Sequence, residues 1–241
     1  MPGLDFAQLA IGFIVLLFSL TVHEMAHAWT ADRLGDPTAR LLGRVTLNPL
    51  AHADPIGTVL FPLIAMVTGA PLIGWAKPVP VDVRRLRHRE RDYVLVAAAG
   101  PASNVIMAVS AAIILAVMPI SPLVLGEANA SAPLATFLTR MVILNVLLAV
   151  FNMLPIPPLD GGNVLSGLLP RPLARLFDQI RPYGFILLYA VILTDAFRVL
   201  VARPSNYLID LLLRCHRRPN RASFPACARR DDCTSAISSA R

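Results

Sequence analysis

Charge is scarce in this sequence. Asp, Glu, Lys and Arg make up 15% of 241 residues while 56% are hydrophobic, and the mean hydropathy is +0.62, a balance too apolar for an ordinary soluble domain of that length. The chain reads as a membrane protein. Lysine occurs once, at Lys77, and every other basic residue is arginine; with the many alanines, that bias suggests a GC-rich bacterial genome. The three cysteines, Cys215, Cys227 and Cys233, fall near the C-terminus. Their odd number and their spacing match no zinc ribbon or finger, so they read as incidental thiols. Aromatic residues do not interleave with the basic ones. Although the net charge is +7, Arg84, Arg85, Arg87, Arg89 and Arg91 sit in a short connecting segment without a stacking platform, which excludes nucleic acid as the expected partner and fits retention on the cytoplasmic face. There is no internal repeat and no soluble domain of any size.

What is abundant is apolar runs. Stretches fit to cross about 30 Å of hydrocarbon cover residues 6–22, with an extension to Trp29, 93–118, 134–154 and 183–201. A weaker run over 56–73 is broken by Pro62, Gly69 and Pro71. The first run has neither a basic leader nor a small-residue cleavage site, so it is expected to remain in the protein.

That first run ends in HEMAHAW, residues 23–29. On a helix, His23 and His27 project from one face and can grip one cation, with Glu24 beside them as a base toward an attacking water. The spacing is what a zinc hydrolase needs; the plainer alternative is an interfacial polar patch at a helix end, anchored by Trp29. Zinc in hydrolases takes a third protein ligand. The best candidate lies in FNMLPIPPLDGG, residues 151–162, where Asp160 follows Pro155, Pro157 and Pro158 and precedes Gly161 and Gly162. The prolines hold the segment extended and the glycines let it turn close to whatever the carboxylate binds. A mere Pro/Gly connector accounts for those residues, but not for a lone acid and Asn152 between strongly apolar segments.

HEMAH, GPASN at residues 100–104 and NMLPIPPLDGG together resemble the site-2 protease family of intramembrane zinc metallopeptidases, over about residues 8–200. GRVTLNPLAHADPIG, residues 43–57, is similar to compact bacterial members without a PDZ-like insertion or a regulatory domain. The resemblance implies Zn2+ as cofactor, His23, His27 and Asp160 as its ligands, Glu24 as general base, and Asn152 as a polar group near the scissile carbonyl. It implies an endopeptidase that cuts in or near transmembrane segments of other membrane proteins, as in regulated intramembrane proteolysis. The partners are then a membrane-protein substrate and the lipid bilayer. The location is a cell membrane, crossed several times, in a bacterial inner or plasma membrane. A membrane metal-binding or transport protein using the same His and Asp cluster is the alternative.

The expected fold is an all-α integral membrane protein, a polytopic bundle of about four to six membrane segments. His23 and Asp160 meet only if one run fails to cross, and 56–73 is the candidate for re-entry; Asp36 and Arg87 then share one side. Residues 1–213 form one membrane-embedded domain, and 214–241 a basic, disordered tail. Segment 74–83, GWAKPVPVDV, is read as a short edge strand or as an irregular interfacial loop. Gly100 and Ala102 allow close helix approach, and Asn104 is a packing residue or a link across the interface. His52 is either a site residue or an interfacial cap.

Overall fold

A computed structural model describes residues 6–60, 64, 76–118 and 132–217. Among these residues the regular structure is helical throughout. The long helices are α1 (Phe6–Arg33), α4 (Arg89–Val117) and α5 (Ala132–Asn152), with the short turns α2 (Thr38–Leu41) and α3 (Pro49–His52) between the first two. Then follow α6 (Asp160–Leu168), α7 (Arg171–Ile180), α8 (Gly184–Leu193), α9 (Asp195–Phe197) and α10 (Arg203–Arg217). Stretches Ala7–Arg33, Arg89–Val117, Pro133–Asn152 and Arg171–Leu193 are long and apolar enough to cross a membrane. This is the expected polytopic all-α bundle.

Each long helix has two faces. Along α4, Gly100, Asn104, Ala108, Ala111 and Leu115 are buried while Ile106, Val109, Ile113 and Val117 are exposed, each set at helical spacing. The outer set is apolar because it faces lipid. The inner set is small, which lets backbones approach where no hydrophobic effect drives helices together. Val15 of α1, Ala108, Ala111 and Leu115 of α4, and Leu138 and Val142 of α5 form the main core, and Leu213 of α10 joins it.

α1 ends in a C-terminal cap built on glycine. Gly35 has φ of +112°, and Asp36 N donates to Ala31 O at 2.9 Å and Gly35 N to Asp32 O at 3.2 Å, the paired bonds of a Schellman motif. Asp36 is then fully buried. Its carboxylate accepts from Thr38 N at 3.0 Å and from Asp82 N at 2.7 Å, tying the end of α1 to the approach to α4. Arg87 N donates to Leu34 O at 3.1 Å, so the chain leaves α1 and enters α4 at the same end of the bundle. The run 56–73, expected to re-enter, lies mostly outside the described residues.

Cysteines at Arg40 and Arg87 are therefore expected to react from one side of the membrane with an impermeant thiol reagent, in a background where Cys215, Cys227 and Cys233 are serine. Both positions are exposed, whereas Asp36 is buried too deeply to serve as a probe. Labelling from opposite faces contradicts this arrangement.

One sequence expectation needs adjustment, and one pair of alternatives is narrowed. The run 183–201 is not one helix, because Thr194 is extended (φ −112°, ψ 168°) and divides α8 from α9, its hydroxyl bonding back to Ala190 O at 2.7 Å. Val191 and Val201, on either side of the break, pack with Leu154, Ile156 and Leu159, and α10 then carries the chain along the bundle to Leu213. Of segment 74–83, residues 74 and 75 lie outside the described residues and 76–82 form no strand. Its donors go elsewhere: Lys77 N to His52 O at 2.9 Å, Val79 N to Glu24 Oε2 at 3.2 Å and Asp82 N to Asp36. Of the tail 214–241, only the end of α10 falls among the described residues.

Candidate metal centre

Three helices meet at the centre. α1 presents His23 and His27 one turn apart, both buried. α5 ends at Asn152, and the chain turns through 153–159, where Leu154 N bonds Phe151 O at 3.1 Å and Leu159 N bonds Ile156 O at 2.9 Å. α6 then begins with Asp160 itself, a carboxylate on the positive end of a helix dipole. Gly161 is required there, since a Cβ would fall 2.4 Å from the backbone of Met153 and Leu154.

The turn delivers Asp160 to the histidines. His23 Nε2 lies 3.1 Å from Asp160 Oδ2, His27 Nε2 lies 3.4 Å from Asp160 Oδ1, and the two Nε2 atoms are 3.1 Å apart. Ligand atoms at about 2.0–2.1 Å from a tetrahedral zinc stand about 3.3–3.4 Å from one another. The donor set fits such an ion in chemistry and in spacing. His27 supports this further, because its Nδ1 lies 2.7 Å from Val96 O. A carbonyl only accepts, so the proton is on Nδ1 and Nε2 presents a bare lone pair to the centre. Among the described residues, His23, His27 and Asp160 are the one group of such side chains able to hold a metal ion.

α4 is the third helix at the centre. A Cβ on Gly100 would stand 2.3 Å from His27 Nε2 and 2.5 Å from His23 Nε2, so glycine leaves free the space that both nitrogens face. Farther out, Arg84 beside Asp82 lowers that carboxyl's pKa through a hydrogen bond at 3.0 Å.

The other residues singled out from the sequence lie as follows. Glu24 is half-buried and held by the Val79 N–H through one carboxylate oxygen. Asn152 is half-buried at the end of α5, eight residues ahead of Asp160. His52 is buried, with Nε2 on Thr46 O at 2.9 Å, and stands outside the metal-binding group. Asn104 is fully buried on the inner face of α4. Sequence reading missed the Val96 carbonyl and the Val79 N–H, since backbone groups carry no residue signature. It gave Gly100 only a packing role; its place in GPASN, with no side chain on a helix facing HEMAH, was the available signal.

The model of peptidase family M50 matches residues 11–192. The Bacillus subtilis protein provisionally named zinc metalloprotease YwhC is 39% identical over 181 residues, covering 75% of this chain and 79% of that protein. Rip2 of Mycolicibacterium smegmatis, provisionally named in the same way, is 30% identical over 75% of this chain and 65% of its own length. Rip2 of Mycobacterium tuberculosis (strain H37Rv) is 28% identical, with 88% and 76% covered. No solved structure matches the chain. Matched over most of its length, the chain belongs to peptidase family M50, the site-2 protease family that its HEMAH and LDGG motifs resemble.

Proposed function

We propose that this protein is a zinc endopeptidase of a bacterial cell membrane that hydrolyses peptide bonds in or near transmembrane segments of other membrane proteins. The observation that carries the reading is the convergence of His23, His27 and Asp160 within bonding reach of one cation, next to Glu24, in a bundle whose outer surface suits lipid. Transport needs polar groups strung along a path, whereas these gather at one locus.

His23, His27 and Asp160 would hold the zinc, which when bound supplies Lewis acidity toward water and a peptide carbonyl. Everything else falls to the side chains. Glu24 has one oxygen fixed by Val79 N–H, leaving the other to accept a proton from the attacking water and deliver it to the leaving amine. Asn152 offers an amide donor for the carbonyl oxygen as it gains negative charge, an effect worth a few kcal/mol when aligned. His27 is kept in register by Val96 O, so its Nε2 does not swing away from Asp160. The centre lies well inside α1, with His27 six residues from the helix end at Arg33, about 9 Å by helical rise.

The test is co-expression with single-span membrane proteins of the same cell, such as anti-sigma factors or leftover signal peptides. A cut mapped within or beside the span, and stopped by a zinc chelator, is the expected result. Cleavage that continues at full rate in chelator contradicts the reading.

A further inference from the structure

The two histidines are not equally supported. His27 Nδ1 has the Val96 carbonyl, while His23 Nδ1 is buried and has no hydrogen-bond partner among the described residues. With Nε2 turned to His27 and Asp160, His23 must carry its proton on Nδ1 to offer a lone pair to a cation. An unpaired N–H inside a membrane protein is destabilising, and a ligating imidazole is ordinarily oriented by a partner on its other nitrogen.

Asn104 has the opposite deficit. It is 0% exposed, and neither Oδ1 nor Nδ2 has a partner among the described residues. It sits one turn beyond Gly100 on the same face of α4. A Cβ on Gly100 would meet His23 Nε2 at 2.5 Å and Cε1 at 2.6 Å, so the His23 ring packs against α4 one turn from Asn104. Register gives the level. α1 and α4 are antiparallel, with His27 against Val96 and with Val15 and Ala108 in one cluster; stepping four residues along each helix places Asn104 opposite Ser19, one turn beneath His23. That level is polar, because Asn145 Nδ2 donates to the fully buried Ser19 at 2.9 Å. Interhelical bonding accounts for Asn145. It does not account for Asn104, whose amide bonds no neighbouring helix among the described residues.

We propose that Asn104 is the positioning residue of His23, its Oδ1 accepting the Nδ1 proton through one bridging water and so keeping Nε2 aimed at Asp160. A buried water needs two or more polar partners. His23 and Asn104 provide them, and Asn145 Oδ1, also unpaired, offers a third. This inference rests on the zinc reading of the site.

The experiment measures zinc affinity by competition with a chelator in detergent-purified wild type, Asn104→Leu and Asn104→Asp, together with thermal unfolding of each metal-free protein. Leucine is expected to weaken zinc binding roughly 10- to 100-fold while the metal-free protein still unfolds cooperatively. Aspartate keeps the acceptor and should hold affinity within about threefold of wild type. If the leucine variant does not fold, Asn104→Ala carries the same expectation for zinc. Equal affinity in leucine and wild type, or equal loss in leucine and aspartate, overturns the proposal. A wild type that holds no zinc instead removes the reading on which it rests.

Discussion

Glu24→Gln is expected to lower cleavage of a membrane substrate by roughly 100-fold or more while zinc content stays at the wild-type level. The amide has the shape of the carboxylate, and the proposed ligand atoms belong to His23, His27 and Asp160, so the metal would lose none of them. What is lost is basicity. A glutamine oxygen cannot take a proton from water, and a hundredfold loss corresponds to about 2.7 kcal/mol of barrier. The Val79 N–H can still donate to the amide oxygen, so the side chain keeps the anchor it has at 3.2 Å. Parallel assays of metal content and product formation on one preparation separate the two effects. Undiminished cleavage removes Glu24 from the mechanism, and joint loss of zinc and activity makes it a ligand.

Gly100→Ala should strongly weaken both zinc binding and cleavage, from a single methyl group on a helix that offers no ligand. The added carbon would fall 2.3 and 2.5 Å from the two Nε2 atoms, well inside van der Waals contact and in the space the ion would share. The surroundings cannot yield easily. His27 is held from behind by Val96 O at 2.7 Å, His23 is 5% exposed in a packed interior, and Pro101 follows at once in the helix. Zinc affinity is expected to fall by roughly 100-fold or more, beyond the range seen when only an outer partner of a ligand is lost. Since alanine suits a helix better than glycine by about 1 kcal/mol, the helix itself is not weakened. Elemental analysis beside circular dichroism checks this: a helical, zinc-replete Gly100→Ala protein contradicts the packing described.

How much of this was legible before folding depended on whether a side chain or the backbone does the work. His23 and His27 show themselves through a four-residue spacing, and Asp160 through prolines and glycines that break an apolar stretch. The positions facing lipid, such as Ile106 and Ile113, follow from periodicity. Less was legible where the chain uses main-chain atoms. Val96 O and Val79 N sit in ordinary apolar or loop sequence, yet they position His27 and Glu24. The residues at 76–82 alternate as a strand does, but their donors are claimed by His52, Glu24 and Asp36, partners that only tertiary contact brings near. Thr194 lies in a run whose hydropathy suits one continuous helix, and its own hydroxyl contact marks where that helix stops.

The centre itself is tested most directly by counting metal. Wild-type protein purified in detergent without added metal should contain about one zinc per chain, and His23→Ala and Asp160→Ala should each lose most of it, because a catalytic site has three protein ligands and two do not suffice. His52→Ala, whose ring bonds Thr46 O outside the group, should keep its zinc. Stoichiometric zinc in both His23→Ala and Asp160→Ala would contradict the assignment.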